Sequence, residues 1–265
     1  MDSLRALLVL RPGLRVADLG CGSGHLGRLL WPALAPGGHI DGFDADPAQI
    51  VAARGLASPG ARFEEADARC VPRPAQSYDR VVCQALLVHQ ARPEEVVREM
   101  VRLTRPGGLV AVVEPRWPSR TRHPATDPAM EAMGSRVATV AAAAAVRAGL
   151  GDWSVADRLP ALFRDHGLEA VRTWVHPGLV AVPAGVTGTG EQRLLRALTH
   201  PVEEVAEEQL QGSLAADVCA PAELQAVASY RGRVRAARRD GLRAGSWWEW
   251  REHPLVVCVG TRGAV

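Results

Sequence analysis

Asp18, Gly20, Gly22 and Gly24 alternate along Val16-Ala17-Asp18-Leu19-Gly20-Cys21-Gly22-Ser23-Gly24-His25-Leu26-Gly27. An apolar strand carrying one acid breaks there into glycines and then into a helix. Glycines let a backbone turn sharply and approach a ligand closely, and the first N–H groups of the helix offer donors. That combination suits a nucleotide-like ligand. Taken alone, Gly22-x-Gly24-x-x-Gly27 also satisfies the G-x-G-x-x-G pattern of dinucleotide-binding units. Asp18 weighs on the choice, because a carboxylate at the strand end repels a pyrophosphate and accepts from an ammonium group. Two further residues have the chemistry of proton transfer. His89 follows an apolar run, and an unperturbed imidazole suits general-base work near neutrality. Glu114 ends another apolar run and could orient His89 or a substrate amine; its plainer role is a salt bridge to Arg116.

These side chains need a scaffold, and the chain reads as alternating strands and helices. Strands are expected at residues 14–19, 39–43, 61–65, 78–83 and 109–113, with helices at 24–34, 47–57 and 92–103 between them. Asp46 and Pro47 form a cap and first turn. Val96, Val97, Met100 and Leu103 recur at helical spacing. Such repetition implies right-handed crossovers and a doubly wound sheet, whose ligands lie beyond the carboxyl ends of the strands. Glu114 then faces the same crevice as the glycines. Beyond Pro115 the pattern changes to a loop at 116–127, an Ala-rich helix at 129–148, a helix at 157–166, a strand at 169–176 and a flexible connection at 183–190. Helices at 191–211 and 221–239 and a last strand at 255–261 complete the chain.

With these elements in place, residues 16–27 resemble motif I of the class I S-adenosylmethionine-dependent methyltransferases, of the small-molecule type. The resemblance implies an α/β fold with a doubly wound, mostly parallel seven-stranded sheet, and S-adenosyl-L-methionine as the cofactor. Asp44, followed by Ala45, is placed like the acid that holds both ribose hydroxyls. Asp67 is placed like the acid that accepts from the adenine amino group, with the Ala68 N–H meeting the ring. Residues 78–86 look like the family's fourth strand, whose end at Gln84 passes the methionine part. Residues 98–108, closing on Pro106-Gly107-Gly108, resemble the helix and turn that lead into the fifth strand. The implied cofactor set is Asp18, Gly20, Cys21, Gly22, Gly24, Asp44, Ala45, Asp67, Ala68 and Gln84, and His89 resembles a position where related enzymes often carry His. The likeness covers residues 14–115. Relatives usually carry several dozen residues before motif I, so either the cofactor is left more open or its cover is expected from the segment after Pro115 or from the partner chain of a dimer.

Composition narrows the class. The chain has 265 residues, 47% hydrophobic and 23% charged, which are ordinary values for a globular protein. Its net charge of +2 gives no global attraction for nucleic acid. All 31 basic residues are Arg, which reads as the codon bias of a high-GC bacterial genome. Cys21, Cys70, Cys83, Cys219 and Cys258 are odd in number and lack C-x-x-C spacing, so neither a disulfide framework nor a metal site is expected, and a reducing cytoplasm fits. No leader and no membrane span are expected.

A single domain is therefore expected, with a cofactor half at 1–115, a lid and acceptor-binding insertion at 116–211 that includes strand six, and a C-terminal helix and antiparallel strand at 212–265. The expected activity is methyl transfer to an oxygen, or less favourably a carbon or nitrogen, of a small apolar or aromatic molecule in bacterial specialised metabolism. His89 and Glu114 are the catalytic candidates. Trp117, Trp153, Trp174, Trp247, Trp248 and Trp250 offer walls for such an acceptor, or plain packing. His123, His166, His176, His200 and His253 read as surface or structural, and the arginines of 231–239 as a solvated face. The rivals are a nucleic-acid or protein methyltransferase, an NAD-dependent oxidoreductase and a binding protein without turnover.

Overall fold

The computed structural model describes residues 2–116, 120–176, 179–182, 201–252 and 254–264. It divides into two compact units, the first comprising Met1–Pro115, Ser154–His176 and Leu255–Val265, the second Arg116–Trp153 and Pro177–Pro254.

The first unit holds α1 (Asp2–Leu7), β1 (Arg15–Leu19), α2 (His25–Leu30), β2 (His39–Asp44), α3 (Pro47–Gly55), β3 (Ala61–Glu65), β4 (Tyr78–Gln84), α4 (Pro93–Leu103) and β5 (Thr104–Pro115). Its seven-stranded sheet has the order β3-β2-β1-β4-β5-β10-β7, where β10 is Leu255–Arg262 and β7 is Leu168–His176. The first five strands are parallel, and β10 runs antiparallel between β5 and β7. The chain fills β2 and β3 on one side of β1 and then crosses to β4 and β5 on the other. This reversal of strand order is where an open α/β sheet leaves room for a ligand.

Burial explains the pattern. β4 is buried from Tyr78 to Cys83, and β5 from Leu109 to Glu114, as strands covered on both faces must be. Val16, Leu26, Leu30, Ile40, Val82, Ala111 and Val257 share one core cluster. In α4, Val96, Val97, Met100 and Leu103 are buried, as their spacing predicts. α3 is capped by Asp46, which accepts from the Ala48 N–H at 2.8 Å, with Pro47 as its first residue.

Several boundaries differ from expectation. β5 begins at Thr104, before the glycine turn and not after it. Tyr78 pairs with Thr104 and Arg80 with Leu109, so Arg105-Pro106-Gly107-Gly108 bulges out between two paired stretches of one strand. The strand expected within the insertion, β7, pairs with β10 in the first unit, and α6 (Val155–Asp165) belongs there too. Local pattern could not reveal this, because strand partnership is settled by long-range pairing.

The second unit contains α5 (Pro128–Arg147), α7 (Pro201–Ala215) and α8 (Pro221–Ala244). The five-alanine run lies in α5, where Ala141 packs with Val137, Ala215, Cys219 and Val227. A three-stranded sheet, β6 (Arg120–Arg122), β9 (Glu249–Glu252) and β8 (Leu179–Val182), was not expected. Trp247 is buried while Trp248 and Trp250 are exposed, so only one of this tryptophan group serves as core. Trp117, His200, His253, the connection at 183–190 and the start of the helix expected at 191–211 lie outside the described residues.

Candidate active site

Strand register brings the predicted residues to the carboxyl end of the parallel strands. Asp18 pairs with Gly42 on β2 and Val82 on β4, and Leu19 with Phe43 and Cys83. Immediately beyond, Gly20, Gly22 and Gly24 take φ of +65°, +51° and +77°, the left-handed region that glycine enters without steric cost. The Cys21 N–H donates to the Phe43 carbonyl at 3.0 Å and the Gly24 N–H to the Cys21 carbonyl at 2.9 Å, which closes the turn. Phe63 of β3 lies against it: a Cβ on Gly24 would come within 2.7 Å of the Phe63 ring, and one on Gly42 within 2.5 Å.

Asp44 locks this loop from the end of β2. Its Oδ2 accepts from the Gly22 N–H at 2.8 Å and its Oδ1 from the Asp46 N–H at 2.9 Å. Ala45 is exposed beside it. Asp18 is different, being 1% exposed with an Oδ2 that has no hydrogen-bond partner. Burial, and secondarily the charge of Asp44, raise its pKa to about 8. A buried acid with an unpaired oxygen, next to a second acid, favours a cationic group on the ligand and opposes a phosphate. Burial and the same two carboxylates push the Cys21 thiol up as well, so it stays protonated and packs as a small apolar residue.

On the far side of β2, the Ala66 N–H donates to the Asp44 carbonyl at 2.9 Å and places Asp67 after β3. The Asp67 carboxylate is exposed and clasped by Arg69, at 2.6 Å from Nη2 and 3.0 Å from Nε, which holds its pKa below the usual carboxylate range. Ala68 is half-buried next to it.

At the end of β4, Gln84 pairs with Val113 and is half-buried. Ala85 then takes φ +50°, an uncommon conformation for a residue with a Cβ, while its N–H donates to the Val113 carbonyl at 2.8 Å. This reversal puts Leu86 under Gly20, where an added Cβ would meet the leucine at 2.7 Å. Leu87–His89 forms a short 3-10 turn on which His89 is exposed.

Glu114 spends its carboxylate on backbone donors. It is wholly buried, and its carboxylate hangs the turn after β4 from the end of β5. Oε1 accepts from the N–H groups of Leu86 at 2.9 Å and Leu87 at 2.7 Å, and Oε2 from that of Val88 at 3.4 Å. Burial raises its pKa to about 7 against the pull of those bonds. Glu114 thus ties the turn that carries His89 to the end of β5. The sequence reading missed Phe63, Ala85 and Leu86. Gly42 inside an apolar strand was the available signal for Phe63, since glycine there marks a close approach. Nothing in an alanine announces a positive φ. Among the described residues, no group of three or more His, Cys, Asp or Glu could hold a metal ion. No helix of the described residues is long and apolar enough to cross a membrane.

Comparison with known proteins agrees with this geometry. Residues 16–108 match the family described as a methyltransferase domain. Methyltransferase GfsG of Streptomyces halstedii is 31% identical over 118 residues, which are 43% of this chain and 42% of that protein, so the chain spans well under two thirds of its length. The ubiquinone/menaquinone biosynthesis C-methyltransferase UbiE of Bordetella parapertussis is 28% identical over 188 residues, 66% of this chain and 72% of the relative. The crystal structure of the YcgJ protein of Bacillus subtilis shares the fold, with a TM-score of 0.57 at 17% identity over 100% of this chain and 98% of that one. Glycine turn, buried acid, sheet order and family match converge on one conclusion: residues 16–108 of this chain carry a methyltransferase domain of the class I S-adenosylmethionine-dependent type.

Proposed function

We propose that this protein methylates an oxygen of a small, largely apolar hydroxylated molecule. The observation that carries the cofactor side of this reading is the buried, unpaired Oδ2 of Asp18 beside the left-handed glycines. S-adenosylmethionine supplies a methyl group on a sulfonium, an electrophile that needs only an aligned nucleophile. Asp18 is assigned to the cofactor's ammonium, Gly20, Cys21, Gly22 and Gly24 to close backbone approach, Asp44 with Ala45 to the ribose, Asp67 with Ala68 to the adenine and Gln84 to the methionine end. The donor set fits, because an acid-rich cradle matches a cofactor with two cationic centres and no phosphate.

On the acceptor side, alignment alone does not suffice, since a neutral hydroxyl is a poor nucleophile. His89 is assigned as the base that takes the hydroxyl proton, and Glu114 holds it in place through the turn. The acceptor is assigned to bacterial specialised metabolism, and GfsG, a Streptomyces methyltransferase, supports the bacterial part of that setting. A second reading has its own observation, for UbiE is named a C-methyltransferase. Deprotonating a phenol also activates its ring carbons, so the same base serves either outcome.

Calorimetry with S-adenosylmethionine, S-adenosylhomocysteine and NAD tests the cofactor, and heat from NAD alone would overturn it. Incubation with a ¹³C-methyl cofactor and a panel of phenols and aliphatic alcohols tests the acceptor. A new methoxy resonance supports O-transfer, and an aryl-methyl resonance replaces it with the C-transfer reading.

A further inference from the structure

α4 turns three charged side chains toward the loop after β3. Glu95, Glu99 and Arg102 are four and three residues apart, which stacks them on one helix face. Glu99 is buried, and its Oε1 accepts from the Val71 N–H at 2.8 Å. Arg102 donates to the two oxygens of Glu99 at 2.6 Å each, then onward to the carbonyls of Arg73 at 2.9 Å and Val71 at 3.1 Å. The Arg102 carbonyl in turn accepts from the Gln76 N–H at 2.9 Å. Val71 is therefore held by both its N–H and its C=O.

Asp67 lies just upstream in the same loop. The Cys70 N–H donates to the Asp67 carbonyl at 2.9 Å and closes a turn, while the Ala66 N–H is fixed to Asp44 at 2.9 Å. The exposed turn from Asp67 to Cys70 is thus slung between two anchors, the Asp44 carbonyl before it and the Glu99–Arg102 pair after it. With the second anchor lost, the downstream end of the turn keeps the packing of Val71 and the Arg73–Glu64 pair but loses both backbone clamps on Val71, and the carboxylate samples more positions.

We propose that Glu99 and Arg102 are positioning residues for recognition of the cofactor's base, setting Asp67 without touching the ligand. This rests on the cofactor reading above, in which Asp67 accepts from the adenine amino group. The probe is the ratio of calorimetric affinities for S-adenosylhomocysteine and S-inosylhomocysteine, whose base carries an oxygen where adenine has that amino group. Wild type prefers the adenine compound. Arg102→Gln and Glu99→Gln shrink the preference by about tenfold, the scale of one hydrogen bond to a charged group, chiefly by weakening the adenine compound. Arg102→Lys, which keeps the charge, recovers part of it. A purely structural role lowers both affinities together and leaves the ratio intact, which overturns the proposal.

Amide hydrogen exchange at residues 67–70 of the ligand-free chain separates this from failure of the cofactor reading. Faster exchange in the two Gln variants, with the β-strands still protected, supports the anchor whatever ligand binds. Unchanged exchange overturns it.

Discussion

The Leu87 N–H donates to the Glu114 carboxylate at 2.7 Å, and this bond, with those from Leu86 and Val88, suspends the turn that carries His89 from the end of β5. Removing the acceptor orphans the buried donors. Glu114→Ala is expected to cost about 2–4 kcal/mol in urea unfolding, and Glu114→Gln, which keeps one carbonyl oxygen, about half of that. A cost below about 0.5 kcal/mol would show that the turn stands without Glu114.

Asp18 makes the ligand-free protein sensitive to pH. Its folded pKa of about 8 lies above the ordinary 3.8, so the unfolded chain sheds the proton first as pH rises. Stability from keeping Asp18 neutral is fully present below about pH 4 and is lost as pH climbs through about 8. Glu114, raised to about 7, acts with the same sign. Thermal melts are expected to fall between about pH 5 and 8, and Asp18→Asn to flatten that slope. A cationic ligand must also drive a proton off Asp18 near neutrality, seen as a buffer-dependent binding enthalpy in the wild type. Equal slopes in the two proteins would remove Asp18 as the cause.

Gly24 and Gly55 form a matched pair of tests. At Gly24 an alanine must hold φ +77° and push its Cβ to 2.7 Å from the Phe63 ring, and about 2–4 kcal/mol of destabilisation is expected. At Gly55, the last residue of α3, a Cβ meets nothing within 4 Å, and alanine should gain up to about 1 kcal/mol. Denaturation midpoints of equal size and sign would contradict the loop geometry.

Ala85 bears its left-handed conformation at a cost of about 1–2 kcal/mol, which glycine does not incur. Ala85→Gly, despite the added freedom of the unfolded chain, is expected to be neutral or stabilising by up to about 1 kcal/mol. A clear loss of stability would mean that the alanine methyl itself packs.

His89→Ala tests the proposed base. Turnover should drop by about 10²–10⁴-fold while the calorimetric affinity for S-adenosylmethionine stays within about twofold. Full turnover would remove His89 from the proposed reaction.

Much of the first unit was legible because parallel strands buried on both faces must be continuous apolar runs, and Asp46-Pro47 and Pro106-Gly107-Gly108 punctuate them chemically. Positive φ at Gly20, Gly22 and Gly24 could be anticipated from residue type alone. The second unit was less legible. Its small sheet is built from three- and four-residue strands far apart in sequence, too short to carry a period.

The sequence by itself determined the parallel sheet, the glycine turn and the acids that ring it, since each depends on local chemistry or a local repeat. Tertiary structure alone decided what those groups do. Burial between β2 and β4 left Asp18 with an unpaired oxygen, and three converging N–H groups made Glu114 the support of the turn that carries His89. Desolvation and hydrogen-bond partnership arise from distant segments packing together, and no window of residues contains them.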